Sequence, residues 1–201
     1  MKIYLTRHGE TEWNKMGKLQ GWKNSNLTEK GIEDANNLKD LISDVPFDLV
    51  YTSDLGRAVS TTEILTSDRD NPKIVITERL RELSLGIWEG MTYDDTKLNY
   101  PNEYHDYIYN PQLYKPEIGE DYSDLMSRVN SVLDEIINSD AENVLIVTHG
   151  VTLMAIINAI NNTPIENFWN EDVVHGASLT IINYNNNVFE IEVYAYREHI
   201  R

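Results

Sequence analysis

Short apolar runs typical of β-strands alternate along the chain with longer stretches in which apolar residues recur every three or four positions. The strand-like runs cover residues 2–6, 48–52, 73–77 and 143–148. The stretches with the helical period cover residues 27–43, 54–66, 121–138 and 151–160. Thr28 is a suitable N-cap for the first of these helices. Alternation of strands and helices along a chain is typical of an α/β domain.

The C-terminal part of the chain adds two details to this pattern. Residues 151–160 are apolar on nearly every side, which predicts a buried helix that ends at the Asn-Asn-Thr-Pro stretch 161–164. Residues 177–184 and 188–194 are joined across three asparagines and predict a β-hairpin. We therefore predict a three-layer α/β sandwich, in which helices flank a mixed and mostly parallel sheet.

One segment, residues 84–122, lacks a sustained period and holds Trp88 and seven of the twelve tyrosines. It suits an inserted cap or lid beside a ligand site. Alternatively, its tyrosines at helical spacing simply pack in the core, and we favour this packing for Tyr100, Tyr104 and Tyr107. No internal repeat or flexible linker interrupts the chain. We predict a single domain over residues 1–201, with 84–122 as the inserted segment.

Composition and charge exclude several classes of function. With 33 acidic and 17 basic residues the net charge is -16, which disfavours nucleic acid and anionic membranes as partners. The absence of cysteine excludes disulfides, thiolate metal sites and cysteine nucleophiles. The first residues form a strand-like run instead of a leader, and no apolar run has the length of a membrane span, so we predict a cytoplasmic protein. A small phosphorylated metabolite remains a suitable partner where the few cations concentrate.

Two histidines follow two of the predicted strands, each with a glycine after it. Strand 2–6 leads into Arg7, His8 and a glycine, and strand 143–148 leads into His149 and a glycine. Arg57 lies near the start of the helix that follows strand 48–52. In open α/β sheets ligands bind outside the carboxyl ends of the strands, so we expect these side chains to converge. The remaining histidines, at positions 105, 175 and 199, are interpreted as structural or solvent-exposed.

This set of residue types suits phosphoryl transfer. The transferred group carries charge on three oxygens, and catalysis of its transfer consists mostly of positioning and electrostatic stabilisation. Arginine donates two parallel hydrogen bonds to a phosphate, and a neutral imidazole held in one tautomer is a competent nucleophile. Metal-binding spacings such as H-E-x-x-H are absent from the sequence. We predict neither a metal nor another cofactor.

Five blocks of the sequence resemble the signature of a known enzyme family. They are LTRHGETEWN (5–14), LQGWKNSNLTEKG (19–31), YTSDLGRAVST (51–61), LRELSLGIWEG (80–90) and IVTHG (146–150). In this order they resemble the histidine phosphatase superfamily, which includes the cofactor-dependent phosphoglycerate mutases. The chain length and residues 167–184 are most similar to the short broad-specificity phosphatases. The chain departs from the family at Asn24, Ser25 and Asn26, where Asp and then Ser-Pro are common.

The resemblance implies roles for eight residues. The implied catalytic residues are His8 as nucleophile, Glu82 as the acid that protonates the leaving oxygen and later activates water, and His149. The implied substrate-binding residues are Arg7, Asn14, Gln20, Gly21 and Arg57. His149 belongs to the cationic pocket around the phosphate, and we expect it to be protonated there. From the sequence alone Glu82 is interpreted as a surface carboxylate, and only its surrounding block assigns it a role.

The resulting hypothesis is a metal-independent phosphatase that hydrolyses small phosphate monoesters through a phosphohistidine. Three alternatives stay open at this point. A phosphoglycerate mutase would use the same residues on a chain that is usually longer. A narrower phosphatase, such as one for α-ribazole phosphate, would owe its specificity to residues 84–122. A phosphopeptide-binding module without activity would tolerate loss of His8 or Glu82, and this chain has both. The sequence does not specify the oligomeric state, the physiological substrate or the pathway.

Overall fold

The structure is a computed structural model that describes residues 1–70, 72–171 and 173–200. Within these ranges the strands are β1 Lys2–Arg7, β2 Leu49–Ser53, β3 Lys73–Thr77, β4 Asn143–Thr148, β5 Leu179–Asn185 and β6 Val188–Tyr196. The α-helices are α1 Glu12–Lys15, α2 Glu29–Leu41, α3 Gly56–Thr66, α4 Tyr93–Asn99, α5 Pro101–Tyr109, α6 Tyr122–Ile137 and α7 Gly150–Ile160. Short 3₁₀ turns lie at Glu78–Leu80, Gly86–Trp88, Pro111–Leu113 and Ile165–Asn167. None of these helices has the length and apolar character that crossing a membrane requires.

All of these strands belong to one mixed sheet, in the order β3-β2-β4-β1-β5-β6. β3, β2, β4 and β1 run parallel to one another, and the β5–β6 hairpin is antiparallel at the edge. The hairpin turns through Asn186 and Asn187, whose φ angles of 51° and 63° are ones that asparagine tolerates. The predicted α/β fold with a mostly parallel mixed sheet is confirmed.

The two faces of the sheet carry separate helical layers because strand side chains alternate between faces. Ile3 and Leu5 of β1 pack with α6 and α7, whereas Tyr4 between them packs with α2 and α3. α6 contributes the apolar stripe that its period predicted, and α7 is buried on almost all sides. Thr28 caps α2 as predicted, with its side chain accepting the Gly31 N–H. Three layers result, with the sheet in the middle.

The start of the hairpin differs from the prediction. β5 begins at Leu179 instead of residue 177, because Ala177 has a φ of 56° and so cannot continue an extended strand. β6 also runs two residues further than predicted, to Tyr196.

The segment 84–122 contains α4, α5 and two of the 3₁₀ turns, all too short to give a sustained period. Its aromatic residues form a cluster around Trp88, with the Tyr107 ring centroid 5.6 Å away and edge-on. Tyr100 and Tyr104 lie 6.3 Å from the same ring. These contacts confirm packing for Tyr100 and Tyr104, whereas Tyr107 both packs in the cluster and lines the cavity that contains His8. A lid function for the segment stays a prediction.

Candidate active site

The pairing of β1 with β4 brings His8 and His149 together. Arg7 and Thr148 are register partners in the two parallel strands, and each histidine follows its strand directly. The His8 N–H donates to the Thr148 carbonyl at 2.9 Å. The two rings lie 5.2 Å apart between centroids, and both side chains are buried. The sequence prediction that the strand ends converge is confirmed for this pair.

Gly9 is needed here for space. A Cβ on Gly9 would lie 2.5 Å from the Gly31 carbonyl oxygen, at the start of α2. This close approach of two backbones requires a residue without a side chain.

Two contacts fix the tautomer of His8. Its Nδ1 lies 2.7 Å from the Gly9 carbonyl oxygen, which can only accept, so Nδ1 carries the proton. The Arg57 Nε–H lies 3.1 Å from Nε2 and can only donate, so Nε2 carries the lone pair. His8 is therefore neutral with its lone pair on Nε2, which is the form that a nucleophile needs.

The lowered pKa of His8 agrees with this neutral form. Burial lowers the pKa of His8 well below its usual value, and the positive charges of Arg57 and Arg7 lower it further. The hydrogen bond to Gly9 acts in the opposite direction but does not dominate. At neutral pH the imidazole of His8 is therefore unprotonated.

The structure corrects the expectation that His149 is protonated. Burial lowers its pKa well below the usual value, and the charges of Arg57 and of neighbouring groups add to this effect. Neither ring nitrogen has a hydrogen-bond partner among residues 1–70, 72–171 and 173–200. The sequence showed that His149 follows a buried strand, but the reason for its neutral state is its burial close to the positive charges of Arg57 and Arg7.

Arg57 lies in the first turn of α3 and is 1% exposed. Besides its contact with His8, its guanidinium donates to the carbonyls of Lys23 at 2.7 Å and Gly21 at 2.8 Å. Its backbone N–H donates to Oδ1 of Asn24 at 2.9 Å, so the loop that departs from the family pattern supports this helix end. Burial lowers the pKa of Arg57 to about 10, which leaves it charged at neutral pH.

Arg7 ends β1 and lies against α7. Its Nη1 donates to the Val174 carbonyl at 2.9 Å, and its Nε is buried without a partner in the described part of the chain. A Cβ on Gly150 would lie 3.4 Å from the guanidinium carbon. The guanidinium of Arg7 therefore lies close to the start of α7. The structure thus places two guanidiniums beside His8, of which that of Arg57 is buried and that of Arg7 is part-buried.

The cavity next to His8 is also bordered by Asn14, Gln20 and Gly21. The polar groups of these residues make different contacts. Oδ1 of Asn14 accepts the N–H of Thr11, which turns its NH₂ group away from that residue. Gln20 donates to the Thr11 hydroxyl at 2.8 Å and accepts from the Ser25 hydroxyl at 3.0 Å, so its side chain holds the loop instead of pointing freely into the site. Gly21, with a φ of 51°, supplies a carbonyl to Arg57.

Glu82 is only part-buried, but it is not an isolated surface carboxylate. Oε1 accepts the N–H groups of Leu83 at 3.0 Å and Thr152 at 3.1 Å, and Oε2 accepts that of Val151 at 3.2 Å. These contacts place the carboxylate at the N-terminus of α7, where the helix dipole favours negative charge. The sequence near Glu82 does not indicate these contacts with α7, because Thr152 lies 70 residues away along the chain.

These residues surround a polar cavity of about 50 Å³. Its lining is Arg7, His8, Asn14, Lys18, Leu19, Gln20, Gly21, Arg57, Glu82, Leu85, Tyr93, Tyr107 and Val151. Sequence reasoning missed Lys18 and Tyr93, although Lys18 lies between two of the matched blocks and Tyr93 is the first residue after an N-cap threonine. A groove of about 640 Å³ between α2 and α3 is larger but contains neither histidine, so chemistry and not size identifies the site.

Across the described ranges, no three or more His, Asp or Glu side chains form a group that could hold a metal ion.

Comparison with known proteins places the chain in a family. Residues 3–197 match the model of the histidine phosphatase superfamily (branch 1). The chain is 32% identical over 169 residues to a putative phosphoserine phosphatase 2 of Hydrogenobacter thermophilus, covering 84% of this chain and 83% of that protein. It is 33% identical over 177 residues to an adenosylcobalamin/alpha-ribazole phosphatase of Salmonella typhimurium, covering 88% and 87%.

A solved structure agrees with this placement. YhfR of Bacillus stearothermophilus matches with a TM-score of 0.94 at 38% identity, covering 100% of this chain and 99% of that one. The resemblance drawn from the five sequence blocks is thereby confirmed. The chain belongs to the histidine phosphatase superfamily and is a phosphoric monoester hydrolase of that superfamily.

Proposed function

We propose that this enzyme is a metal-independent phosphatase that hydrolyses small phosphate monoesters through a phosphohistidine at Nε2 of His8. The observation that carries the proposal is the lone pair on Nε2 of a buried, neutral imidazole that lies beside the buried guanidinium of Arg57 and the part-buried guanidinium of Arg7. An unprotonated nucleophile and a cationic pocket both favour attack on a phosphate dianion.

In the first step His8 Nε2 attacks phosphorus in line with the leaving oxygen, so that a P–N bond forms as the P–O bond breaks. Arg57 turns its Nε–H from Nε2 to a phosphoryl oxygen, because the lone pair it occupies is the one that attacks. Arg7 and Asn14 donate to the other oxygens. A neutral His149 has one ring N–H, and this N–H donates to a phosphoryl oxygen. That ring nitrogen thereby gains the hydrogen-bond partner that it lacks in the described part of the chain.

Glu82 supplies the proton that the leaving alkoxide needs, and the N-terminus of α7 then stabilises the carboxylate that remains. Its Oε1 already accepts two N–H groups, so we assign the transferable proton to Oε2, which has the single contact from Val151. In the second step the same carboxylate removes a proton from the water that attacks phosphohistidine. Inorganic phosphate leaves, and neutral His8 and protonated Glu82 are restored.

The size of the cavity supports a small substrate whose alcohol lies at the mouth. A volume of about 50 Å³ suits a phosphoryl group and not a whole sugar phosphate. The named relatives, a phosphoserine phosphatase and an α-ribazole phosphatase, support a small phosphorylated metabolite as the partner.

The function is tested by phosphate release from 3-phosphoglycerate, a sugar phosphate, phosphotyrosine and α-ribazole phosphate, each measured with and without EDTA. We expect release from at least one of these esters at the same rate in both conditions, because no step of the mechanism uses a metal. A rate that EDTA abolishes and a divalent cation restores would contradict metal independence. Absence of release from all four would contradict the proposed function.

A second measurement separates hydrolysis from mutase chemistry. With 3-phosphoglycerate as substrate and bisphosphoglycerate supplied, we expect phosphate release to exceed formation of the 2-isomer. The reason is the small cavity, which holds a phosphoryl group but leaves a glycerate at the mouth, where it is free to dissociate before phosphate can return to it. Both products are followed in one reaction by NMR of phosphorus. Dominant isomerisation would favour the mutase instead.

A further inference from the structure

We propose that Arg128 is a positioning residue for the general acid. Together with Glu120 it holds the backbone of Glu82, so that the carboxylate lies where the leaving oxygen needs a proton. This inference rests on the proposed function and adds two residues on which its first step depends. Arg128 lies in α6 and Glu120 near the end of the inserted segment, and neither is among the residues that line the cavity next to His8.

The backbone around Glu82 needs hydrogen-bond partners from other parts of the molecule. Residues 81–85 belong to neither a helix nor a strand. Their carbonyls therefore lack the regular partners that such elements supply, although buried carbonyls need hydrogen bonds. A general acid acts only when it lies within hydrogen-bond distance of the leaving oxygen. The position of Glu82 consequently depends on the side chains that bind this stretch.

Arg128 binds three carbonyls of this part of the chain. Its Nη1 donates to the carbonyls of Arg79 at 2.9 Å and Arg81 at 2.6 Å. Its Nη2 donates to the carbonyl of Glu82 itself at 3.0 Å. Since a guanidinium presents its N–H groups in one rigid plane, it fixes these carbonyls relative to one another and to α6.

Glu120 orients this guanidinium. Its Oε1 accepts from Nε of Arg128 and its Oε2 accepts from Nη2, both at 2.9 Å, which is a bidentate ion pair. The two side chains are only 13% and 16% exposed. Oε2 also accepts the Ser84 N–H at 3.0 Å, and the Glu120 N–H donates to the Ser84 carbonyl at 3.0 Å. The pair is therefore attached to the chain on both sides of Glu82.

The pair leaves the carboxylate of Glu82 available for proton transfer. Among the described residues the hydrogen bonds of Arg128 go to backbone carbonyls and to Glu120. A guanidinium bound directly to the Glu82 carboxylate would stabilise its charged form and oppose proton donation. Glu120 instead balances the charge of Arg128. The arrangement thus fixes the backbone of the acid without fixing its protonation state.

The expected loss on removing Arg128 is smaller than the loss of the proton itself. The Glu82 carboxylate keeps its contacts with α7, and its carbonyl keeps the hydrogen bond from Trp22 Nε1 at 2.8 Å. What changes is the precision of its placement, and a misplacement of about 1 Å can cost on the order of 10²-fold in rate.

Arg128→Met tests the inference through the single-turnover rate of phosphohistidine formation. The two substrates are p-nitrophenyl phosphate and whichever of 3-phosphoglycerate and a sugar phosphate reacts faster. We expect the rate for the alkyl ester to fall roughly 10- to 100-fold. The rate for p-nitrophenyl phosphate should fall less than about threefold, because nitrophenolate leaves without a proton. Equal losses for the two substrates would overturn the inference.

A double variant separates positioning of the acid from general support of the fold. Glu82→Gln has no proton to transfer, so adding Arg128→Met to it should slow the alkyl ester by less than about a further threefold. If Arg128 only stabilised the fold, the two losses would multiply, and that result would overturn the inference.

Three further variants complete the test. Glu120→Gln lacks the carboxylate that orients Arg128 and should slow the alkyl ester selectively, as Arg128→Met does. Arg128→Lys keeps the charge but not the planar donors and should give an intermediate loss. These two variants carry the test if Arg128→Met does not fold. Arg79→Met is the matched control, because the Arg79 side chain donates to Ser131 and Glu135 of the same helix, and both rates should stay within about twofold. A leaving-group-dependent loss as large as that of Arg128→Met would overturn the inference.

The wild-type enzyme separates this failure from failure of the proposed function. If it formed phosphohistidine from both substrates and Arg128→Met slowed both equally, the role of Arg128 alone would fall. Formation from p-nitrophenyl phosphate but from neither alkyl ester would also overturn that role, because no leaving group would then depend on the acid. If none of these esters gave phosphohistidine, the phosphatase proposal itself would fall.

Discussion

Replacing His8 with alanine is expected to abolish turnover and to leave binding of phosphate measurable. The variant lacks the Nε2 lone pair, so no P–N bond can form, and kcat should fall by at least about 10⁴-fold, as for other lost nucleophiles. Arg7 and Arg57 remain as a cationic pocket, and Arg57 no longer has His8 as a partner. We therefore expect inorganic phosphate to bind His8→Ala at least as tightly as it binds the wild-type enzyme.

The phosphoenzyme itself provides the direct measurement. Wild-type enzyme quenched during turnover of a ³²P-labelled ester should carry phosphate that is stable in base and lost in acid, as expected for phosphohistidine, and His8→Ala should carry none. Calorimetric binding of phosphate shows that the variant retains a folded pocket. His105→Ala removes an exposed histidine outside the site and should keep both turnover and label. Label on a serine or an aspartate would contradict the assignment of His8.

The parts of this site that could be predicted from sequence are those that depend on local order along a strand. His8 and His149 each follow a buried run, and parallel strands bring such positions to one edge of the sheet. Arg57 could be placed in the same way, because it opens the helix after β2. The helices on the faces of the sheet could be predicted from the spacing of apolar residues, since α6 and α7 bury the sides on which the sequence places those residues.

The parts that could not be predicted depend on contacts between distant segments. Glu82 owes its position to N–H groups of α7, and nothing near it in the sequence records that contact. Gln20 was expected to contact substrate. Its amide NH₂ donates to the Thr11 hydroxyl and its amide oxygen accepts from the Ser25 hydroxyl, so both ends of the side chain have partners within the protein. The neutral state of His149 depends on burial, which a single sequence does not specify.

The departure at Asn24 and Ser25 shows how a changed loop can still serve the site. Asn24 accepts the backbone N–H of Arg57, and the hydroxyl of Ser25 both accepts from Trp13 and donates to Gln20. These bonds hold the carbonyls of Gly21 and Lys23 in contact with the Arg57 guanidinium. The loop therefore positions Arg57 by its own hydrogen bonds.

Glu82→Gln is expected to slow the phosphorylation of His8 by an amount that depends on the leaving group. An alkoxide is a poor leaving group, so loss of a positioned acid should slow its release by roughly 10² to 10⁴-fold. Nitrophenolate leaves readily without a proton, so the same variant should slow p-nitrophenyl phosphate by less than about 10-fold. Glutamine keeps an acceptor for the N–H groups of Leu83 and Thr152, and its NH₂ group loses the contact from Val151. Loss of the hydrogen bond from Val151 should slow both substrates by the same factor. The ratio of the two rate reductions therefore measures the contribution of the proton alone.

The measurement is the single-turnover rate of phosphohistidine formation, because Glu82 also acts in the second step and steady-state rates would combine both roles. Glu89→Gln is the matched control. Glu89 accepts the N–H groups of Trp22 and Leu85 through Oε1 and holds the loop that supports Arg57. Since it acts through position and not through a proton, its replacement should slow both substrates by the same factor. Equal losses for both substrates in Glu82→Gln would show that it is not the general acid, and a leaving-group-dependent loss in Glu89→Gln would transfer that role to Glu89.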